Sequence, residues 1–127
     1  MIVLDASAAV LGLLNDGEGR RALIHEDVAI PYLADSEVAH ALRAQERRGD
    51  LDGDRALAAL AVWARLGLRR FGASASLGRV WELRENLTAY DATYIALAEM
   101  LGCNLITADA RLARAPGPLC PITTIRR

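Results

Sequence analysis

The sequence predicts an α/β fold, a parallel sheet covered by helices on both faces, on three observations. Short apolar runs alternate with longer segments of helical periodicity, the runs are apolar throughout, and helical segments outnumber them. A strand with one wet face would alternate apolar and polar residues. Continuous runs such as Ile2-Val3-Leu4 and Val28-Ala29-Ile30 therefore mark strands buried on both faces, as parallel strands under crossover helices are. With 127 residues, 53% of them apolar, the chain is long enough to bury one core and is read as a single domain over residues 1–127.

The elements follow in order. Ile2 to Leu4 is a strand, and Ala6 to Leu14 a helix broken by Asn15-Asp16-Gly17. A short helix fits residues 18 to 26. Val28 to Ile30 is a strand stopped by Pro31, and a helix from about residue 33 to 48 ends at Gly49. Residues 54 to 66 form a helix rich in alanine and leucine. Leu68 to Phe71 reads as a short strand, and residues 76 to 86 and 90 to 101 as helices, the second closed by Gly102. Asn104 to Thr107 is strand-like, Ala108 to Ala113 helical, Pro116-Gly117-Pro118 a loop, and Ile122 to Ile125 a last strand.

The formal charge is −1, from 16 acids and 15 bases, and every base is arginine. The absence of lysine excludes P-loop phosphate binding, Schiff-base chemistry and the lysine-dependent aspartyl-phosphate sites of receiver domains and related phosphatases. Near-neutral charge gives no global argument for nucleic-acid binding, so any such argument has to be local. Cys103, Cys120, His25 and His40 show no zinc-site spacing, and neither a structural metal nor a disulfide is expected. Asn86-Leu87-Thr88 matches a glycosylation sequon but reads better as a loop or helix start. No signal-peptide pattern and no apolar run of about 18 residues are present, so a soluble, cytoplasmic protein without membrane contact is expected.

In open parallel sheets ligands bind beyond the carboxyl ends of the strands, where helices begin. Asp5 and Asp109 each stand at such a strand-to-helix junction. Asp91 lies in the first turn of its helix, four residues before Ile95 and seven before Ala98, which puts it on the apolar face. Glu37, four residues before Ala41 and beside Val38, borders the buried stripe of its own helix. Any one of the four acids could serve only as a helix cap. Together they converge on one end of the sheet, and two unit charges about 4 Å apart repel by roughly 4 kcal/mol at an effective dielectric of about 20. Protonation, an arginine or a hard cation such as Mg²⁺ or Mn²⁺ would relieve this, and lysine and histidine are absent from these positions. Ser7 and Thr107, each two residues from an acid, are candidates for fixing carboxylate or water positions, or for capping helices.

The stretches VLDASA, PYLADSEVAHAL, LTAYDATYIALAEMLG and LITADARLA carry a family likeness. Their order and spacing resemble PIN-domain ribonucleases, and more narrowly the VapC-type toxins of toxin–antitoxin pairs, over nearly the whole chain. The resemblance implies a three-layer α/β/α sandwich with a short parallel sheet and a divalent-metal-dependent endoribonuclease, with Mg²⁺ as cofactor and Mn²⁺ as a substitute. The family's acidic set carries over as Asp5, Glu37, Asp91 and Asp109, with Asp5, Asp91 and Asp109 as direct metal ligands. Glu37 is left three roles: direct ligation, ligation through water, or orientation of the nucleophile. The implied reaction is attack of metal-activated water on an RNA phosphodiester.

The resemblance further implies a small VapB-type antitoxin over the acidic cleft, and a homodimer. The helix 54 to 66, with Leu57, Leu60, Ala61 and Trp63, offers apolar surface for either partner or simply packs into the core. RNA phosphates would have to be met by arginine, and Arg84, Arg111 and Arg114 are near enough in sequence to the acids to do so. The alternatives are a PIN nuclease that processes RNA without being a toxin, one that cleaves structured DNA, and a catalytically inactive module that binds only RNA or an antitoxin. The target RNA and the number of metal ions are not readable from these residues.

Overall fold

The computed structural model describes residues 1–126. Strands β1 (Ile2–Leu4), β2 (Val28–Pro31), β3 (Arg69–Phe71), β4 (Asn104–Thr107) and β5 (Ile122–Thr124) form one parallel sheet in the order β3-β2-β1-β4-β5. Seven helices accompany it among the described residues: α1 (Ala6–Leu14), α2 (Glu18–His25), α3 (Leu33–Arg47), α4 (Gly53–Arg65), α5 (Leu77–Glu82), α6 (Ala89–Leu101) and α7 (Ala110–Arg114). The result is an α/β/α sandwich. None of these helices is long and apolar enough to cross a membrane.

The unbroken apolar strands behave as expected of a sheet covered on both faces. Val3, Leu4, Ala29, Ile30 and Leu105 are fully buried, and β1 lies at the centre of the sheet. Helix α6 is buried from Ala92 to Ala98 and packs on β1, β2 and β4. It closes at Gly102 in the left-handed conformation (φ 64°), from which Cys103 N–H reaches back to the Ala98 carbonyl at 3.0 Å.

Several boundaries differ from the sequence reading by a residue or more, and four of them have local reasons. Strand β2 includes Pro31: Tyr32 N–H donates to Phe71 O in β3, so the alternation of the ladder turns the Pro31 nitrogen the other way, past the last β1–β2 pair at Val3 and Ala29. The helix read over 76 to 86 is only Leu77–Glu82, preceded by a 3₁₀ turn at Ser74–Ser76. Beyond it the bonds tighten to three-residue spacing, with Arg84 N–H on Trp81 O and Asn86 N–H on Leu83 O. Helix α7 starts at Ala110 because Asp109 is its cap, not at Ala108. Strand β5 stops at Thr124, although Ile125 N–H still donates to Thr107 O at 2.8 Å.

Arginine fastens the periphery. Arg70 of β3 makes a two-pronged bond to Asp35 of α3 (2.9 Å each), and the Trp63 indole N–H of α4 donates to the same carboxylate at 2.8 Å. Trp63 is therefore core, not contact surface, whereas Leu57 on the same helix is 67% exposed. Arg20 of α2 satisfies the carbonyls of Gly12 and Leu13 at the end of α1.

Helices α1 and α2 touch backbone to backbone through Gly12 and Gly19. A Cβ on Gly12 would lie 2.6 Å from the Gly19 carbonyl carbon. Alanine would gain up to about 1 kcal/mol of helix propensity there, but the neighbouring backbone cannot yield as a side chain would. Gly12→Ala is expected to lower the unfolding free energy by about 1–3 kcal/mol in urea titrations. A change below about 0.5 kcal/mol would show that the two helices separate freely.

Candidate active site

The register of the sheet builds the site. Leu4 pairs with Ile106, which brings Asp5 at the end of β1 beside Thr107 at the end of β4. Asp5 is 7% exposed and Thr107 is fully buried. The Asp5 carboxylate caps α1, accepting from Ala8 N–H at 3.0 Å, and it also accepts two hydroxyl protons, from Ser7 on Oδ1 (2.6 Å) and from Thr107 on Oδ2 (2.5 Å). Each hydroxyl then accepts an amide that follows β4: Ser7 Oγ from Ala108 N–H across the strand ends (2.9 Å), Thr107 Oγ1 from Asp109 N–H of its own strand end (3.0 Å). Cap and site are thus the same group. Thr107, two residues from Asp109, directs its proton not to that carboxylate but across the sheet to Asp5.

The other three acids arrive on helices, Asp91 and Asp109 at helix starts and Glu37 one turn into α3. Asp91 is held by Thr88, whose hydroxyl accepts from Asp91 N–H at 3.1 Å in the first turn of α6. Glu37 of α3 accepts from the Tyr94 hydroxyl of α6 at 2.7 Å. Asp109 caps α7 through Arg111 N–H (3.0 Å), and the Arg111 guanidinium folds back onto both its oxygens at 3.3 and 3.1 Å.

Electrostatics tie the four into one cluster. Burial pushes the Asp5 carboxyl up, the charge of Asp109 adds to this, and the bonds from Ser7, Thr107 and Ala8 oppose it. Glu37 is raised by burial and by the charges of Asp91 and Asp5, against the Tyr94 hydrogen bond and His40. Asp91 is raised by burial and by Asp109 and Asp5, against Arg111 and Thr88. Burial and the Glu37 carboxylate push the Tyr94 phenol up too, keeping it a donor.

Asp5, Glu37, Asp91 and Asp109 all face a cleft of about 260 Å³, together with Ser7, His40 and Tyr94. The sequence reading missed the last two. It held histidine to be absent from these positions, yet His40 stands three residues after Glu37, as Tyr94 does after Asp91, and helical spacing of three puts each beside its acid. Of the three arginines, Arg111 borders the cleft, in a hollow shared with Asp91 and Asp109. Arg84 does not: its guanidinium stacks on the Trp81 ring at 4.6 Å and donates to Trp81 O at 2.9 Å. Arg114 is exposed and outside the residues lining the cleft.

An all-oxygen donor set of carboxylates suits a hard divalent cation. Among the described residues no three acidic, imidazole or thiol side chains already stand close enough to share one ion. Asp109 would have to exchange Arg111 for it.

Comparison with known proteins bears on the same residues. The family described as PIN domain matches residues 2–118. The chain belongs to the PIN-domain family. It is 48% identical to VapC ribonuclease Mb0985 of Mycobacterium bovis over 130 residues, covering all of both chains. Among solved structures it resembles PAE2754 of Pyrobaculum aerophilum (TM-score 0.67, 28% identity, 95% of this chain and 81% of that one). The PIN-type fold is shared as well with VapBC2 of Rickettsia felis, a structure bound to a DNA fragment from its promoter (TM-score 0.69, 14% identity, 98% and 99%). PIN-domain ribonucleases are in general dependent on divalent metal.

Because Asp5, Glu37 and Asp91 sit above the usual carboxylate range, the folded PIN domain binds more protons than the unfolded chain between the ordinary and the raised values. Without metal, stability therefore falls as pH rises through that window. Asp91→Asn is expected to melt higher than the parent at pH 7 in chelator, and the gain to vanish as pH drops to about 4. Equal melting temperatures at pH 7 would mean that the carboxylates do not repel one another in the folded state.

Proposed function

We propose that this PIN domain, occupying the chain as one unit over residues 1–127, is a metal-dependent endoribonuclease of the VapC type. It hydrolyses RNA phosphodiester bonds as the toxin of a toxin–antitoxin pair and so restrains translation or growth. The observation that carries the reading is the meeting of four carboxylates from four separate elements in one cleft, in a chain 48% identical to a named VapC ribonuclease. Four like charges gathered at a sheet edge cost stability, and a cleft that gathers them is suited to holding a cation.

Asp5, Asp91 and Asp109 are the proposed ligands of Mg²⁺, with Mn²⁺ as a substitute. A divalent ion supplies Lewis acidity for activating water and for offsetting charge on a phosphoryl oxygen. The chain's own residues do the positioning. Ser7 and Thr107 hold both oxygens of Asp5, which fixes the carboxylate's plane at the floor of the cleft. Tyr94 fixes Glu37 by one oxygen and leaves the other for water or metal. Arg111, once parted from Asp109, has five N–H donors to offer an RNA phosphate at the rim. Arg84, stacked on Trp81, and Arg114, outside the cleft lining, are the weaker candidates for that task.

The proposed setting is the cytoplasm, with a VapB-type antitoxin covering the cleft and a second copy of the chain completing a homodimer. The exposed Leu57 and Val62 of α4 are available to such partners.

The test is cleavage of a mixed cellular RNA pool by the antitoxin-free chain with Mg²⁺ or Mn²⁺, with chelator, and with Asp5→Ala. Cleavage is expected to require metal and to fall at least about 100-fold in the variant. Equal cleavage by both proteins would place the active site elsewhere, and metal-independent cleavage would remove the cation. Arg111→Gln is expected to bind Mn²⁺ more tightly by calorimetry, since Asp109 no longer has to exchange its arginine, while cleaving RNA more slowly. Unchanged Mn²⁺ affinity would mean that Arg111 and the ion do not compete for Asp109.

A further inference from the structure

The two cysteines of the chain stand before neighbouring strands, at the end of the sheet opposite the acidic cleft. Strands β4 and β5 pair as Leu105 with Ile122 and Ile106 with Thr123. Carried two residues back, that register sets Cys103, just before β4, against Cys120, just before β5. Neighbouring strands lie about 4.8 Å apart, within the Cα separation a disulfide tolerates. Both thiols are free and only partly exposed, and a thiolate at Cys120 would feel one at Cys103.

Hydrogen bonds fix both backbone positions. Cys103 N–H is tied to Ala98 O at the end of α6, and Leu105 N–H to Pro121 O at 2.9 Å. The loop before Cys120 is held by an ion pair: Arg79 of α5 donates to Glu99 of α6 (2.7 and 3.1 Å) and to Gly117 O (2.9 Å), and Glu99 accepts Leu119 N–H at 2.7 Å. Cys120 is thus delivered to the C-terminal end of α6, where Cys103 begins. The Cys103 thiol faces the Val3 backbone of β1, so closing the pair requires it to rotate across to the β5 side.

We propose that Cys103 and Cys120 are a reversible redox pair, a dithiol in reducing surroundings that closes to an intramolecular disulfide when a peroxide is present. One thiolate attacks a peroxide oxygen, releasing water (or hydroxide, which takes up a proton) and leaving a sulfenic acid; the second thiol displaces water from it as the S–S bond forms. In sum the two thiols lose two electrons and two protons, and one hydrogen peroxide is reduced to two waters. Burial raises both thiols, so closure is slow at neutral pH and quicker in mild alkali. The closed loop contains Thr107, Asp109 and Arg111, so oxidation tethers the segment that brings the last carboxylate to the cleft.

The test treats the full-length chain with hydrogen peroxide at about pH 8.5 and reads free thiols, intact mass and melting temperature. Expected are the loss of both thiols, a mass lower by two hydrogens, a melting temperature higher by about 5 °C or more, and full reversal by dithiothreitol. Cys103→Ser and Cys120→Ser, each compared before and after treatment, should form no intramolecular bond and gain no stability. Two thiols persisting, a disulfide-linked dimer, or separate oxygen adducts on each sulfur would each overturn the proposal.

Discussion

Both oxygens of the Asp5 carboxylate accept a hydroxyl proton, and the two hydroxyls in turn accept the amides that follow β4. This small ring of hydrogen bonds joins the ends of two neighbouring strands at the point where each becomes a helix. It satisfies polar groups that the parallel sheet leaves unpaired at its edge, in a place where Thr107 has no access to water. It also dictates which way the carboxylate faces. A group buried to this degree would favour its neutral form, and the three donors are what oppose that tendency.

The rest of the cleft follows from the same conflict between charge and burial. Glu37 and Asp91 are raised by burial and then by each other or by the remaining acids, so no member of the cluster has an environment independent of the others. A fold selected for stability alone would disperse such charges. Here they converge, and Arg111 at the rim and His40 on α3 act against the repulsion. The stability given up in the metal-free state is the counterpart of the cation affinity proposed for the bound one.

Around this centre the chain relies on arginine where many proteins divide the work with lysine. Arg70 on Asp35 and Arg79 on Glu99 are two-pronged pairs that each join separate elements, β3 to α3 and α5 to α6. A planar guanidinium holds direction as well as charge, which an ammonium does not. The two pairs lie on the flanks of the sheet, away from the cleft, and leave Arg111 as the arginine whose carboxylate partner belongs to the acidic cluster.

How much of this was legible in the sequence varies with the range of the interaction. The unbroken apolar runs at Ile2 and Val28, the break at Asn15-Asp16-Gly17 and the glycine after Leu101 are local signals, and each lies where the corresponding element begins or ends. Asp5, Asp91 and Asp109 were placed at helix starts because capping is decided within three residues. The short α5 escaped the reading because its apolar spacing continues past Glu82 while its hydrogen bonds tighten to turns. The sequence by itself therefore determined the elements, their order and the acids at their ends. Tertiary structure alone decided that Thr107 serves Asp5, that Tyr94 holds Glu37, that Arg84 turns onto Trp81 while Arg111 turns onto Asp109, and that Cys103 stands in register with Cys120. Those pairings depend on strand register and helix rotation, which are settled by burial across the whole chain and leave no mark within a few residues of either partner.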